Sequence, residues 1–461
     1  MNVSEDPGAA LAERILAASD GETCVLVDDV AEVDVRFANN TVTSNGRRRL
    51  RRVSVVRYLD VPGGRAAGSA SGTGDVDVEA LLQAAERDAR SAGPADDAAE
   101  LPDGGQDSDA YIPAPETDPS SLSALLGELG DVLRRAEAQH RVAAGFIEAN
   151  VVTTTLASTA GTMRRHATPT AKLQLTLRDP STGSSVWAGT AAGSPAGLSL
   201  IGLDASLDVR LGWSARRVDL PAGRYRAILP PDAVADLVPL AAQAASGRDA
   251  IEGHNVYSAP GSGTRIGERL FDVPFNLRSD PDEPNLEAIP FVATRASSGD
   301  VSVFDNGAPI GRAVLVEDGV LRRLIWTRAG AARAGSQVTF PADNLILELP
   351  GSVASTQDLI SSTDRGLLVT CLWYIREVDP ATLLLTGLTR DGVYLVESGE
   401  VVAAVNNFRF NESPLDVLAR VSAAGGTQRA LSREWNEWFP RTAMPGLVVE
   451  DFNFSTVSPA T

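Results

Sequence analysis

RYRAILPPDAVADLVPLAAQAASGRDAIEG, residues 224–253, changes its periodicity part-way along. Tyr225 to Leu229 is a short apolar run that reads as a strand, and the paired prolines Pro230 and Pro231 end its hydrogen-bond ladder. Pro231 suits the first turn of a helix, where a missing N–H costs nothing, and Asp232 favours the positive N-terminal end. Val234, Leu237, Val238 and Ala241 then recur at helical spacing and give that helix one buried face. Pro239 should bend it, since it removes an interior hydrogen bond and crowds the preceding turn. Gly247 reads as its stop. Asp232 and Asp236 stand one turn apart on a shared face. They could bind a cation or act as base beside a metal held by another chain. The plainer assignment, and the preferred one, is a dipole-favoured N-terminal charge plus an exposed carboxylate. A hydrolytic zinc helix needs two ligands about a turn apart with a carboxylate base beside them, and this helix has no His.

Upstream of this stretch, helical and alternating segments succeed one another. Residues 7–18, 78–92 and 122–142 read as amphipathic helices, the third ending near Gly145. Residues 23–27, 33–38, 52–58, 65–69, 147–157, 163–178 and 186–193 read as antiparallel strands, with Asn39-Asn40 and Asn45-Gly46 as turns. Downstream, residues 301–303, 312–317, 320–327, 345–349, 367–373, 392–397 and 400–405 read as strands. A late helix at 415–424 and a last strand at 447–454 follow. Asp318-Gly319 and Ser398-Gly399 supply hairpin turns. The expected class is α+β, with an N-terminal domain (1–215) of antiparallel sheet and packed helices and a C-terminal domain (216–461) of mostly antiparallel, barrel-like β structure. A flexible acidic loop is expected at about 93–121, where Pro, Asp and Gly concentrate.

The 461 residues carry 41 basic and 60 acidic side chains, a net charge of −19. That excludes nucleic acid as the main partner, because affinity there comes from neutralised phosphates. Much of the acidity is local: 15 acidic residues lie between Asp75 and Asp131, against Arg87 and Arg90 alone. Lys172 is the only lysine. Cys24 and Cys371 each sit in an apolar run and are expected as buried free thiols. The acidic start of the chain does not read as a signal peptide, and no apolar run reaches the roughly 18 residues of a membrane span. A soluble cytoplasmic protein with no membrane partner is expected.

Several phrases in the second half exceed generic β structure. They are the 225–253 unit, FDNGAPIGRAVLVEDGVL (304–321), PADNLILELP (341–350) and RGLLVTCLWYIREVDPATLLLTGLTRDGVYLVESGEVV (365–402). AEVDVRFANNTVTSNGRRRLRRVSVV and GGRAAGSASG add to them in the first half. In order and spacing the chain resembles the TldD/PmbA family, the modulators of DNA gyrase, and most closely its PmbA (TldE) branch. The resemblance implies a bacterial, cytoplasmic, heterodimeric zinc metallopeptidase, a hydrolase that degrades unfolded or short peptides and processes peptide precursors. In such complexes the TldD-type subunit carries zinc on an HExxxH helix with a Cys near the C-terminus, and the PmbA-type subunit lacks both. Here the corresponding helix reads PPDAVADLVPL, and the region expected to hold the Cys reads EWFPRTAMPG. Cys371 falls too early to be that ligand. No catalytic, cofactor-binding or metal residue is therefore assigned to this chain, and zinc is expected in a TldD-like catalytic partner. The alternative is a stand-alone homodimeric binding or scaffold protein without peptidase activity.

The remaining candidates are weaker. His140, His166 and His254 do not pair at ligand spacing. Arg47, Arg48, Arg49, Arg51 and Arg52 could steer an acidic peptide or nucleic acid, but alternate residues of a strand face opposite ways, and a charged, solvated edge strand is expected. The glycine-rich pieces at 68–72 and 261–264 lack the lysine of a phosphate loop and read as turns. Trp435, Trp438 and Phe439 share one side of a helical turn and serve either core packing or an interface anchor.

Overall fold

In the computed structural model, which describes residues 7–261 and 263–459, the first half is one six-stranded sheet. Its strands are β1 (Thr23–Ala38), β2 (Thr41–Val61), β3 (Gly64–Thr73), β4 (Val142–Ser158), β5 (Met163–Asp179) and β6 (Ser184–Ala192). They lie in the order β3-β2-β1-β4-β5-β6 with every neighbour antiparallel. Alternation divides the side chains between two faces. The face carrying Val25, Val27, Val33, Val35, Leu173 and Leu175 is covered by four helices. α1 (Gly8–Ala18) and α2 (Val78–Ala92) cover one half, and α3 (Ser123–Ala138) and α4 (Leu200–Trp213) the other. The opposite face, with Cys24, Leu26, Val56 and Tyr58, packs on Phe291, Val303 and Phe304 of the second half.

The second half holds two further sheets, of ten and six strands, with α5 (Pro231–Gln243) packed against strands of both. Strand Gly223–Leu229 pairs antiparallel with Leu447–Val457 and parallel with Arg365–Val369, which aims α5 back across the ten-stranded sheet. The α+β expectation holds. Among the described residues no helix is long and apolar enough to cross a membrane.

Several local expectations are corrected. Residues 28–32 do not interrupt a strand: β1 runs through them because its buried acids are paired. Arg51 donates Nε to Asp29 Oδ1 at 2.6 Å and Nη2 to Oδ2 at 3.0 Å, while Asp28 accepts from Thr154 Oγ1 at 2.8 Å and from Arg295. Asn45-Gly46 lies inside β2, paired with β1; the turn is Asn39-Asn40, both at positive φ. α3 stops at Ala138, closed by His140 at φ +57, and Gly145 belongs to β4. α4 has no counterpart in the sequence expectations, although Leu200, Leu207 and Leu211 lie on its buried side and Ser199 caps it, accepting from Gly202 N–H. Residues 301–303 form no strand; Ser302 instead accepts from Phe304 N–H and starts a 3-10 turn, Val303–Asp305. The late helix is shorter, Pro414–Ala419, because Val421–Ala424 pairs with the last strand.

The acidic segment before Pro119 has no helix or strand but is not wholly exposed. Leu101 and Ala110 are buried, and Asp107 accepts from Arg164 at 3.0 Å and from Arg165 N–H at 2.9 Å. Its Glu116 pairs with Arg47 and Arg49, while Arg48 pairs with Glu32 and Arg51 is buried on Asp29. The arginine run is thus largely neutralised within the chain.

Two glycines separate backbone fit from propensity. A Cβ on Gly145 would lie 2.0 Å from Gln174 O and 2.8 Å from Phe37 Cζ, so Gly145→Ala is expected to cost about 1–3 kcal/mol. Gly127, exposed in α3, meets nothing within 4 Å, and Gly127→Ala should stabilise by roughly 1 kcal/mol. Chemical denaturation of the two variants checks both signs.

Candidate functional site

The site grows from α5. The helix starts at Pro231 with Pro230 as N-cap, as its residues require, and it ends at Gln243. Gly247 is not its stop but the first residue of the next helix, Gly247–Glu252, capped by Ser246. Only glycine fits there: a Cβ would lie 2.0 Å from Trp326 Cε2. α5 is also not one-faced. Ala233, Ala235, Asp236 and Pro239 are buried along with the expected stripe, because sheets enclose the helix.

Asp236 is fully buried, against the expectation of an exposed carboxylate. Its Oδ1 accepts from Ser432 Oγ at 2.7 Å, Arg433 N–H at 2.8 Å and Glu434 N–H at 3.2 Å, and its Oδ2 from Leu372 N–H at 2.8 Å. The Trp435 indole N–H donates to the Asp236 carbonyl at 2.8 Å. Asp232, half-buried, accepts from Leu431 N–H at 3.0 Å. The acid face of α5 therefore holds the turn 431–435. Burial pushes the Asp236 carboxyl up to about 7, against the pull of those donors, and the Asp232 carboxyl up to about 6.

The same turn carries Arg433 into the seam between the two halves. Its guanidinium lies 5.2 Å from the Trp187 ring of β6 and 4.9 Å from that of Trp373, and it pairs with buried Asp391. Cys371 comes into this cluster, one residue before the Leu372 N–H that Asp236 binds. Its thiol donates to Arg390 O at 2.9 Å, and burial pushes it up to about 12. Glu434 accepts from Tyr374 N–H at 2.8 Å and Ile375 N–H at 3.1 Å, where the edge strand Leu372–Asp379 bulges and Tyr374 takes φ +54. None of these partners is near α5 in sequence, so no motif spacing revealed them.

Past the turn, the aromatic group divides its work. Trp435 is partly buried against the core. Trp438 stacks edge-on to it at 5.6 Å, is 47% exposed, and with Phe439 walls a cleft of about 300 Å3. Pro239 and Gln243 of α5, Leu315 and Phe340 complete the mostly apolar lining.

Zinc does not fit the residues present at α5. The helix has no His, both Asp236 oxygens already accept hydrogen bonds, and the Cys371 thiol keeps its proton and donates it. Among the described residues the one group of three potential ligands within 4.8 Å of one another is Asp249, Glu252 and His254 at the surface, where Arg248 already pairs with Glu252. His140 ends α3 and His166 lies on β5; neither joins such a group. Residues 68–72 are in β3 rather than a turn, with Gly68 pressed on the backbone of Ala89, while Gly261 and Gly263 take positive φ.

The model of the PmbA/TldA metallopeptidase C-terminal domain matches residues 222–456, which spans α5, the 431–439 turn and the last strand. The chain belongs to the TldD/PmbA family. Its fold is similar to that of TldE from Thermococcus kodakarensis, with a TM-score of 0.74 at 18% identity over 96% of this chain and 98% of that one. A Thermotoga maritima protein described as a candidate modulator of a DNA gyrase gives a TM-score of 0.73 at 17% identity, over 96% and 98%. A Bacteroides thetaiotaomicron protein of like description gives 0.74 at 15% identity, over 97% and 98%. No curated protein matches the chain.

Two outcomes test the site's architecture. Relative to an ordinary value near 3.8, the raised Asp236 carboxyl holds in the native state a proton that the unfolded chain releases. Its contribution to stability is therefore fully present below about pH 4 and is lost as pH rises to about 7. Asp236→Asn cannot ionise, so the gap in melting temperature between wild type and variant should narrow across that window. Arg433→Ala removes the closer of the two arginines paired with buried Asp391, leaving Arg390 Nε at 3.5 Å, and should cost about 2–3 kcal/mol in chemical denaturation, with Arg433→Lys only partly restoring it.

Proposed function

We propose that this chain is the PmbA/TldE-like, non-catalytic subunit of a cytoplasmic TldD/TldE-type zinc metallopeptidase complex that cleaves small or unfolded peptides. The observation that carries this is the state of α5. On the helix where the family's resemblance calls for an HExxxH zinc site, the chain has Pro231, Asp232 and Asp236, and the Asp236 carboxylate is occupied in holding the 431–435 turn. The catalytic metal, its base and its activated water would then belong to a TldD-like partner. This subunit would complete the substrate chamber. The cleft walled by Trp438 and Phe439 supports that role, since partly exposed Trp beside a groove suits peptide side chains. The edge strand Leu372–Asp379, paired on one side only among the described residues, offers backbone groups for strand addition beyond Tyr374 and Ile375, whose N–H groups Glu434 already accepts.

Co-expression with a TldD-type chain tests the proposal. The two should co-purify, cleave an unfolded substrate such as casein, and lose that cleavage to a chelator. This chain purified alone should be inactive with or without added zinc. Zinc-restored cleavage by the isolated chain would contradict the proposal. Failure of the two chains to associate would favour the stand-alone homodimeric scaffold.

A further inference from the structure

A second cavity, of about 360 Å3, opens at the seam between the two halves, between β5 and β6 on one side and residues 285–287, 429–430 and 440–442 on the other. In a chain whose net charge is −19, most arginines near carboxylates are paired; among the described residues the two that line this cavity are not. Arg441, partly buried, donates to Thr170 Oγ1 and, at 3.5 Å, to Pro169 O, and among the described residues it forms no ion pair. Asp343 and Glu287 reach it only as longer-range charges. Arg429, exposed on the strand Gln428–Ala430, makes neither a hydrogen bond nor an ion pair with its side chain among the described residues. His166 adds a buried Nε2 without a partner. Arg441 is the less exposed of the two, and a partly desolvated guanidinium without a counter-ion carries a cost that an arriving anion recovers.

The chemistry narrows the anion. Two guanidinium groups face Glu287 in the lining, and Asp343 reaches Arg441 from further off, so little net positive charge is left and a doubly charged phosphate is disfavoured more than a singly charged anion. The guanidinium fork matches a planar carboxylate in a bidentate pair. Ala167, Pro169, Ala192, Leu286 and Pro440 supply an apolar wall beside the charges. We propose that this cavity binds the C-terminal carboxylate of a peptide that ends in an apolar residue. The carboxylate preference stands on the cavity itself; that its bearer is a peptide rests on the function proposed above.

Titration calorimetry on the full chain alone tests this, with an N-acetylated Ala-Ala-Ala-Leu acid, its C-terminal amide and inorganic phosphate as probes. The acid is expected to bind about tenfold more tightly than the amide, and phosphate should compete poorly. Arg441 ties β5 to the second half, so Arg441→Gln can fail by misfolding. Arg429→Ala touches no partner; it should weaken the acid about fivefold or more at unchanged melting temperature and leave the amide unaffected. Equal binding of acid and amide, no binding of either, or phosphate competing as well as the acid would overturn the inference. Cleavage by the co-expressed complex, assayed on peptides amidated at the C-terminus, reads the proposed function separately. Cleavage without a carboxylate preference sinks only the cavity, and a preference without cleavage sinks only the peptidase role.

Discussion

Asp236 stands where segments from three distant parts of the chain meet. Its carboxylate accepts the Leu372 N–H on one oxygen, and the Ser432 hydroxyl with the Arg433 and Glu434 N–H groups on the other. Without that acceptor, three backbone N–H groups in an enclosed site would lack partners, each at a cost of about 1–3 kcal/mol. The turn it fixes delivers Arg433 between Trp187 and Trp373, Glu434 to the bulge at Tyr374, and Trp438 and Phe439 to the wall of the cleft. An acid on a buried helix thereby links the core of the second half to the seam with the first.

The same constraint bears on chemistry. A metal on α5 would have to compete with hydrogen bonds that already use both Asp236 oxygens, and it would find no imidazole on the helix and a thiol that donates its proton. These contacts support the function proposed above, in which the helix serves as a structural pin. The seam it organises is not inert, since the β5 and β6 face that meets the second half carries Lys172, Gln174 and Trp187. Lys172 lies 3.4 Å from Glu148 and 3.5 Å from Asn436 O, so even the one lysine is spent on this junction.

Much of the fold could be read from the sequence where the signal was local. The limits of α2, the Pro231 start of α5 and the hairpin turns at Asp318-Gly319 and Ser398-Gly399 follow from periodicity, caps and glycine conformations, and the positive φ values at those turns agree. Errors arose where tertiary partners decide. β1 passes through Asp28-Asp29 because Arg51 and Arg295 neutralise them and the Thr154 hydroxyl donates to Asp28, and no window of sequence shows those partners. α4 carries a local signal as well, a leucine spacing with a serine cap. For the site, the two acids were visible but their burial was not. Donors some 136 and 196 residues away cannot be inferred from an i, i+4 pair.

The most direct test of the central claim, that α5 is a structural pin and not a metal helix, is elemental analysis of the tag-free chain purified alone after zinc supplementation. The account predicts far less than one zinc per chain, unchanged in Asp236→Asn. About one zinc per chain, lost on Asp236→Asn in a variant that keeps its fold, would contradict it.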